Sequence, residues 1–208
     1  MELAETLRNA KAGDEQSLGE LLSSYERYLK LLADVQLGQQ LRRKLDASDI
    51  VQETFLDAHK AIGRFEGESN EQFVAWLKSI LAKRLANTMR HYLGTQARDV
   101  RLEARIGQSL DQSALSLGTM LASPEITPSQ NIANQEQSQL VAGALSRLPE
   151  DYREVIVMRH LEGMTFPEIS SAMQRTVNSV EKLWLRGMAK LKREFRNGDH
   201  RHGESHAD

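Results

Sequence analysis

Residues 165–191 read TFPEISSAMQRTVNSVEKLWLRGMAKL. Thr165, followed by Phe166, Pro167 and Glu168, is a capping box, and its proline falls in the first helical turn, where a missing N–H costs little. The helix it opens is short and carries Ile169, Ala172 and Met173 on one side. A break at Gln174-Arg175 follows. Thr176 then caps a second helix, with Val177, Val180, Trp184, Met188 and Leu191 spaced to face inward. Ser170 is small enough to let the two helices cross closely. Two helices joined by a turn of three or four residues form a helix-turn-helix unit, whose second helix fits the DNA major groove. The positions left outward are Asn178, Ser179, Glu181, Lys182 and Arg186, followed by Lys190, Lys192, Arg193 and Arg196. Most are donors suited to phosphates and guanine edges. Taken alone, the stretch also fits a helical hairpin with a solvated basic face.

Charge along the chain points the same way. The formal net charge is −2 over 208 residues. Two blocks of +5 are hidden in it, residues 78–105 and 175–196, while residues 106–146 contain no Lys or Arg. Such blocks can neutralise phosphates in spite of a bulk pI near 6.3. Solvated helix faces are the bland account of both.

Helical periodicity extends upstream. Leu18, Leu21, Leu22, Tyr25, Leu29 and Leu32 form one stripe, ending near Gly38. Ile50, Val51, Phe55, Ala58 and Ile62 form a second, ending at Gly63, with Asp46 as its cap. Phe73, Leu77, Ile80, Leu81, Leu85, Met89 and Tyr92 form a third, entered through a capping box at Ser69–Gln72 and ending at Gly94. Pro149, Glu150 and Asp151 supply an N1 proline and first-turn acids to a helix beginning near Tyr152. The strand-like run Val155–Met158 is short and sits inside this helical pattern.

Residues 106–134 are rich in Ser, Gln, Thr, Ala and Asn, include Pro124 and Pro128, and lack sustained apolar periodicity. They read as a flexible linker; a long surface loop of one domain is the less common alternative. The expected organisation is therefore all-α: a helical domain over 12–100, a flexible linker over 101–134, a helix-turn-helix domain over 135–196, and a disordered tail over 197–208. His200, His202 and His206 in that tail could bind a metal, but an inert tail is the ordinary outcome.

Several classes are set aside by what the chain lacks. No run approaches the ~18 apolar residues of a membrane span. The first 16 residues carry Glu2 and Glu5 and no apolar core, which argues against a secretory signal. There is no cysteine, hence no disulfide, thiolate zinc site or cysteine nucleophile, as in a reducing cytoplasm. No phosphate loop, HExxH or GxSxG occurs. Asp49 and Glu53 lack a histidine at ligand spacing, because His59 falls on another face. No catalytic residue, metal site or cofactor is expected.

Three blocks together resemble a known family. Residues 148–194, LPEDYREVIVMRHLEGMTFPEISSAMQRTVNSVEKLWLRGMAKLKRE, resemble region 4 of bacterial RNA polymerase sigma factors of the extracytoplasmic-function type. Residues 46–67, DASDIVQETFLDAHKAIGRFEG, and 73–93, FVAWLKSILAKRLANTMRHYL, resemble region 2 of the same family. Order, spacing and intervening segment match over roughly 12–196. There are departures: Gln174 stands where glycine is usual, Glu181 where a basic residue is frequent, and Asn87 where an aspartate is frequent.

The resemblance implies a transcription initiation factor that performs no chemistry itself. Asp49, Gln52 and Glu53 match the segment that docks on the clamp helices of the largest subunit of core RNA polymerase, and another polymerase subunit contacts region 4. Asp49, Glu53 and Asp57 are spaced i, i+4, i+8; three carboxylates on one face suit a basic partner, although solvation alone also explains them. Phe65 and Ser69 match the loop that accepts a base flipped from the melted −10 element. Trp76, Lys83, Asn87 and Arg90 form a stripe suited to single-stranded DNA, with Trp76 equally suited to the core. Arg175, Thr176, Asn178, Ser179, Glu181, Lys182, Arg186 and Lys190 match the −35 duplex reader. The resemblance leaves room for an anti-sigma factor as a partner. Two other readings stay open: a stand-alone helix-turn-helix regulator that dimerises through residues 12–95, and a helical adaptor that binds only protein.

Overall fold

The computed structural model describes the backbone of residues 3–93, 100–121 and 131–203, and no strand occurs among them. The helices are α1 (Leu3–Lys11), α2 (Glu15–Arg42), α3 (Ala47–Ala61), α4 (Asn70–Leu93), α5 (Val100–Thr119), α6 (Asn131–Ser146), α7 (Glu150–His160), α8 (Phe166–Ala172) and α9 (Val177–Gly203), with a 3-10 turn at Ile62–Arg64. The chain divides into two compact units, Met1–Gln112 and Ser113–Asp208.

In the first unit, Asp14 caps α2 by accepting from Gln16 and Ser17 N–H, and Asp46 caps α3 by accepting from Ser48 N–H. Gly38 interrupts α2 at φ 59°, ψ 174°, a conformation only glycine adopts without strain. The apolar stripes of α2 and α4 meet in a core of Tyr25, Tyr28, Leu29, Leu32, Phe73, Leu77, Leu81 and Leu85, all fully buried. Burying a side chain such as Phe73 is worth about 1.5–3 kcal/mol, so this set dominates the unit's stability. The first half of α5 belongs here as well: Ile106 and Leu110 are buried, Gln36 Nε2 donates to Ser109 Oγ at 2.9 Å, and Lys78 pairs with Asp111.

In the second unit, α7 buries Val155, Ile156, Val157 and Met158 in succession. A helical turn apolar on all sides must be enclosed there, and α6, α8 and α9 each pack within this unit, α7 and α9 closely against one another. Gly187 makes that crossing possible. A Cβ there would lie 3.2 Å from Ile156 Cδ1 and 3.3 Å from Tyr152 Cβ.

Several expectations change. The segment expected as a flexible linker is helical at 101–119 and 131–134, with 120–121 a turn, and Ser113 and Leu117 are buried with Ser138 Oγ donating to Ala114 O at 2.9 Å. The reason is a stripe at 106, 110, 113 and 117, spaced i, i+4, i+7, i+11, in which a serine replaces one apolar residue. Helix α9 runs through Gly203, so 197–203 are helical and not a disordered tail; His206 lies outside the described residues. Helix α7 starts at Glu150, with Pro149 as its N-cap, two residues earlier than expected. Val177, the first residue of α9, is exposed and not inward.

Candidate nucleic-acid interface

The turn between α8 and α9 is built by backbone chemistry. Thr165 N–H donates to Glu168 Oε2 at 2.7 Å and Glu168 N–H returns to Thr165 Oγ1 at 3.5 Å, the expected capping box. At the other end of α8, Gln174 N–H donates to Ser171 O and Arg175 N–H to Ser170 O at 3.0 Å. This is a Schellman motif, which requires a left-handed residue at the first position past the cap. Gln174 fills it at φ 52°. Thr176 Oγ1 then accepts from Ser179 N–H at 3.3 Å and starts α9.

Helix α9 is seated by Val180 and Leu191, both fully buried, and by Trp184. The Trp184 ring stacks on His160 at 6.0 Å and meets Phe166 edge-on at 5.7 Å. Its Nε1–H donates to His160 Nε2 at 3.1 Å. An indole nitrogen only donates, so His160 is neutral with its proton on Nδ1. Burial, with Arg159 second, lowers the His160 pKa in accord with that state.

With this face fixed, Asn178, Ser179, Glu181, Lys182 and Arg186 are exposed together, and Lys190 is half-buried. None of Lys182, Arg186, Lys192 and Arg193 has an ion-pair partner among the described residues. Arg175 departs from the set, since its guanidinium binds Asp151 Oδ2 at 2.5 Å. Thr176 is exposed but its hydroxyl serves the cap. Leu185, 60% exposed among these donors, was missed by the sequence reading; its apolar neighbours in sequence disguise an outward position.

The first unit presents a second surface. Asp49, Gln52 and Glu53 are exposed on α3, and Leu56, 60% exposed, lies about two turns on, at i+7 from Asp49. The three-carboxylate face is not realised as one surface. Arg84 of α4 binds Asp57 through Nε and NH2, both at 2.5 Å, and reaches Glu53 at 3.4 Å. The Arg84 hydrogen bond holds the Asp57 carboxyl below its ordinary range. Asp49 alone of the three is without a cation among the described residues.

Beside this pair, Asp57, Ala61, Trp76, Ile80, Lys83, Arg84 and Asn87 line a groove of about 370 Å³. Trp76 serves two ends: it packs on Phe65 at 4.9 Å and on Phe73 at 5.6 Å, and it also forms the groove wall. Lys83 and Asn87 are exposed. Arg90 is drawn back, donating to Asn87 Oδ1 and to Ala86 O at 3.1 Å. Ser69 is engaged as the α4 cap: its Oγ accepts from Gln72 N–H at 3.3 Å while Gln72 Oε1 accepts from Ser69 N–H at 3.2 Å. The structure therefore joins Trp76, Lys83 and Asn87 in one groove, packs Phe65 on Trp76 without making it part of the groove lining, and gives Ser69 and Arg90 local work. Among the described residues, no cluster of His, Asp and Glu is arranged to hold a metal, and no helix is long and apolar enough to cross a membrane.

Residues 24–98 match the family Sigma-70 region 2, and residues 138–191 match Sigma-70, region 4. The chain is 30% identical over 174 residues to the ECF RNA polymerase sigma-E factor of Haemophilus influenzae, covering 84% of this chain and 85% of that one. It belongs to the extracytoplasmic-function (ECF) sigma factors. It is also 32% identical over 136 residues to the sigma-E factor of Escherichia coli K12, covering 65% of this chain and 66% of that one. A solved structure of CnrH in complex with the cytosolic domain of CnrY aligns at 24% identity and a TM-score of 0.36, over 91% of this chain and 94% of that one.

The sigma factor is thus a promoter-recognising initiation factor that acts with RNA polymerase. The stand-alone regulator and the adaptor are not favoured. Its helix-turn-helix lies inside the region 4 match, and α3 and α4 lie inside the region 2 match. The family's usual turn glycine is explained by the Schellman geometry, which this sigma factor satisfies with Gln174.

Proposed function

We propose that this sigma factor docks on the largest-subunit clamp helices of core RNA polymerase through Asp49, Gln52 and Glu53, with Leu56 as an apolar anchor at the centre of that face. Leu56 leaves apolar area 60% exposed beside these polar side chains, and covering such area with a partner surface is favourable. The groove of α4 then takes the melted −10 strand. Its base faces stack on Trp76 and Phe65, and Lys83 and Asn87 supply donors; stacking of this kind contributes about 1–3 kcal/mol per base. Helix α9 reads the −35 duplex through Asn178, Ser179, Lys182 and Arg186, with Leu185 positioned for a thymine methyl and Glu181 for a cytosine amino group. The region 4 face contacts a further polymerase subunit, an anti-sigma factor is the remaining partner class the family brings, and the protein works in the cytoplasm with its polymerase.

The observation that carries this reading is the juxtaposition of an aromatic wall, an exposed lysine and an exposed amide in one groove of a region 2 helix. The test is reconstitution with core polymerase and selection of promoters from a random library. Asp49→Lys with Glu53→Lys should weaken core binding by about tenfold or more, equivalent to ~1.4 kcal/mol, without loss of helicity. Unchanged core affinity would remove the docking assignment. Lys83→Ala with Asn87→Ala should slow open-complex formation at the selected promoter, and a pre-melted −10 template should rescue it in part.

A further inference from the structure

Helix α1 lies outside the residues matched to region 2 and holds none of the site residues named above. It is nevertheless anchored, with Leu7 and Ala10 buried against the body of the first unit. Its last residue, Lys11, is half-buried and reaches the loop at 65–69. Lys11 Nζ donates to Gly67 O at 3.1 Å and stands 5.7 Å from the centre of the Phe65 ring. One ammonium therefore holds both the main chain and the aromatic face of the same loop. Phe65 is held in turn by Phe73 at 5.8 Å and Trp76 at 4.9 Å. The far end of the loop is closed by Gln72 Oε1, which accepts from Glu68 N–H at 2.8 Å. Gly67 leaves the loop no slack. A Cβ there would collide with the Phe65 ring and come within 2.9 Å of Gln72 Cβ.

We infer that Lys11 is a positioning residue for capture of the −10 strand: it presets the 65–69 loop and the Phe65 ring, and it does so without contacting DNA. The inference rests on the assignment of that loop and groove to single-stranded −10 DNA. A cation on a carbonyl is a charge-assisted bond, stronger than a neutral one, and a loop ordered before binding does not have to be ordered by the ligand. Lys11→Met keeps the aliphatic stem and removes the donor.

The experiment uses holoenzyme reconstituted with core polymerase and a promoter selected by the unaltered protein. Binding to its single-stranded −10 oligonucleotide is measured across a salt series, for Lys11→Met, Lys11→Arg and Lys83→Ala. Lys11→Met should lose about fivefold in affinity, the cost of fixing roughly one loop residue, with core affinity, thermal midpoint and salt slope unchanged. Lys11→Arg should restore it. With the captured base removed to leave an abasic nucleotide, unaltered protein and Lys11→Met should bind alike. Lys83→Ala should lose affinity with a shallower salt slope. If Lys83→Ala is impaired and Lys11→Met is not, the positioning role is overturned and the groove assignment stands. If neither is impaired, the groove assignment falls and the inference with it. A shallower salt slope for Lys11→Met, or a deficit that persists on the abasic strand, would make Lys11 a phosphate contact or a structural residue and overturn the inference.

Discussion

The two basic stretches, 78–105 and 175–196, carry the same net charge and use it differently. In the first, Lys78 is paired with Asp111, Arg84 with Asp57 and Glu53, and Arg90 with the Asn87 amide, while Lys83 is left exposed. In the second, Arg175 is paired with Asp151, and Lys182, Arg186, Lys192 and Arg193 project without ion pairs among the described residues. A summed charge therefore says little about what a ligand meets. The outward face of α9 offers free cations, which suits a duplex whose affinity is dominated by phosphates. The α4 groove offers rings and a few donors beside cations that are already satisfied, which suits recognition of unstacked bases more than capture of backbone.

The contrast is testable first through the seat of the recognition helix. Gly187→Leu should overpack the α7–α9 crossing, where a Cβ already meets Ile156 and Tyr152, and cost about 1–3 kcal/mol or more. Thermal unfolding should move down by several degrees and −35 duplex binding should fail, while binding to a single-stranded −10 oligonucleotide persists. Loss of both activities together would mean that the two surfaces do not act separately.

Next in size is base reading by α9. Arg186→Ala should relax preference at one or two −35 positions by about 1–3 kcal/mol, whereas Lys192→Ala with Arg193→Ala should weaken all sequences alike and flatten the salt dependence. Equal losses on preferred and random duplexes for Arg186→Ala would assign it to phosphate.

A smaller effect is expected where the first unit's cations are tied down. Asp57→Ala should release Arg84, whose side chain is only 30% exposed and is held by two hydrogen bonds to Asp57, into the groove. Single-stranded binding should tighten about two- to threefold and its salt slope steepen by about 0.7, one added phosphate contact. An unchanged slope would show that Arg84 stays bound to Glu53.

What could be read from the sequence, and what could not, follows from the range of the interactions. Caps are local, so Asp46, Ser69–Gln72, Thr165–Glu168 and Thr176 were all legible, as was the inward set Val180, Trp184 and Leu191. The Arg84–Asp57 pair spans 27 residues and no local pattern announces it. The same holds for Lys11 and Gly67, 56 residues apart, and for the His160–Trp184 hydrogen bond. Helix α5 was missed for another reason: its signal was present at 106, 110, 113 and 117, but a buried serine broke the apolar count and the Ser/Gln-rich composition read as linker.

The smallest predicted effect concerns backbone conformation, where the two units differ once more. In the first, the positive-φ positions among the described residues are Gly13 at 98° and Gly38 at 59°; in the second, Gly163 at 70° is joined by Gln174 at 52°. A side chain in the left-handed region costs about 1–2 kcal/mol. Glycine removes that cost but loses about 0.5–1 kcal/mol of its own through greater freedom in the unfolded chain. The net expectation for Gln174→Gly is a gain of about 0.5–1 kcal/mol, or roughly 1–4 °C in the midpoint for a protein of this size. Gln174→Ala keeps the backbone cost and serves as the control, with no gain expected. Because the Schellman bonds of Gln174 and Arg175 are made by backbone, both variants should keep the turn, and with it the −35 preference. A gain with altered promoter choice would show that the Gln174 side chain, and not only its backbone, takes part in reading DNA; no gain would show that contacts of that side chain already offset the strain.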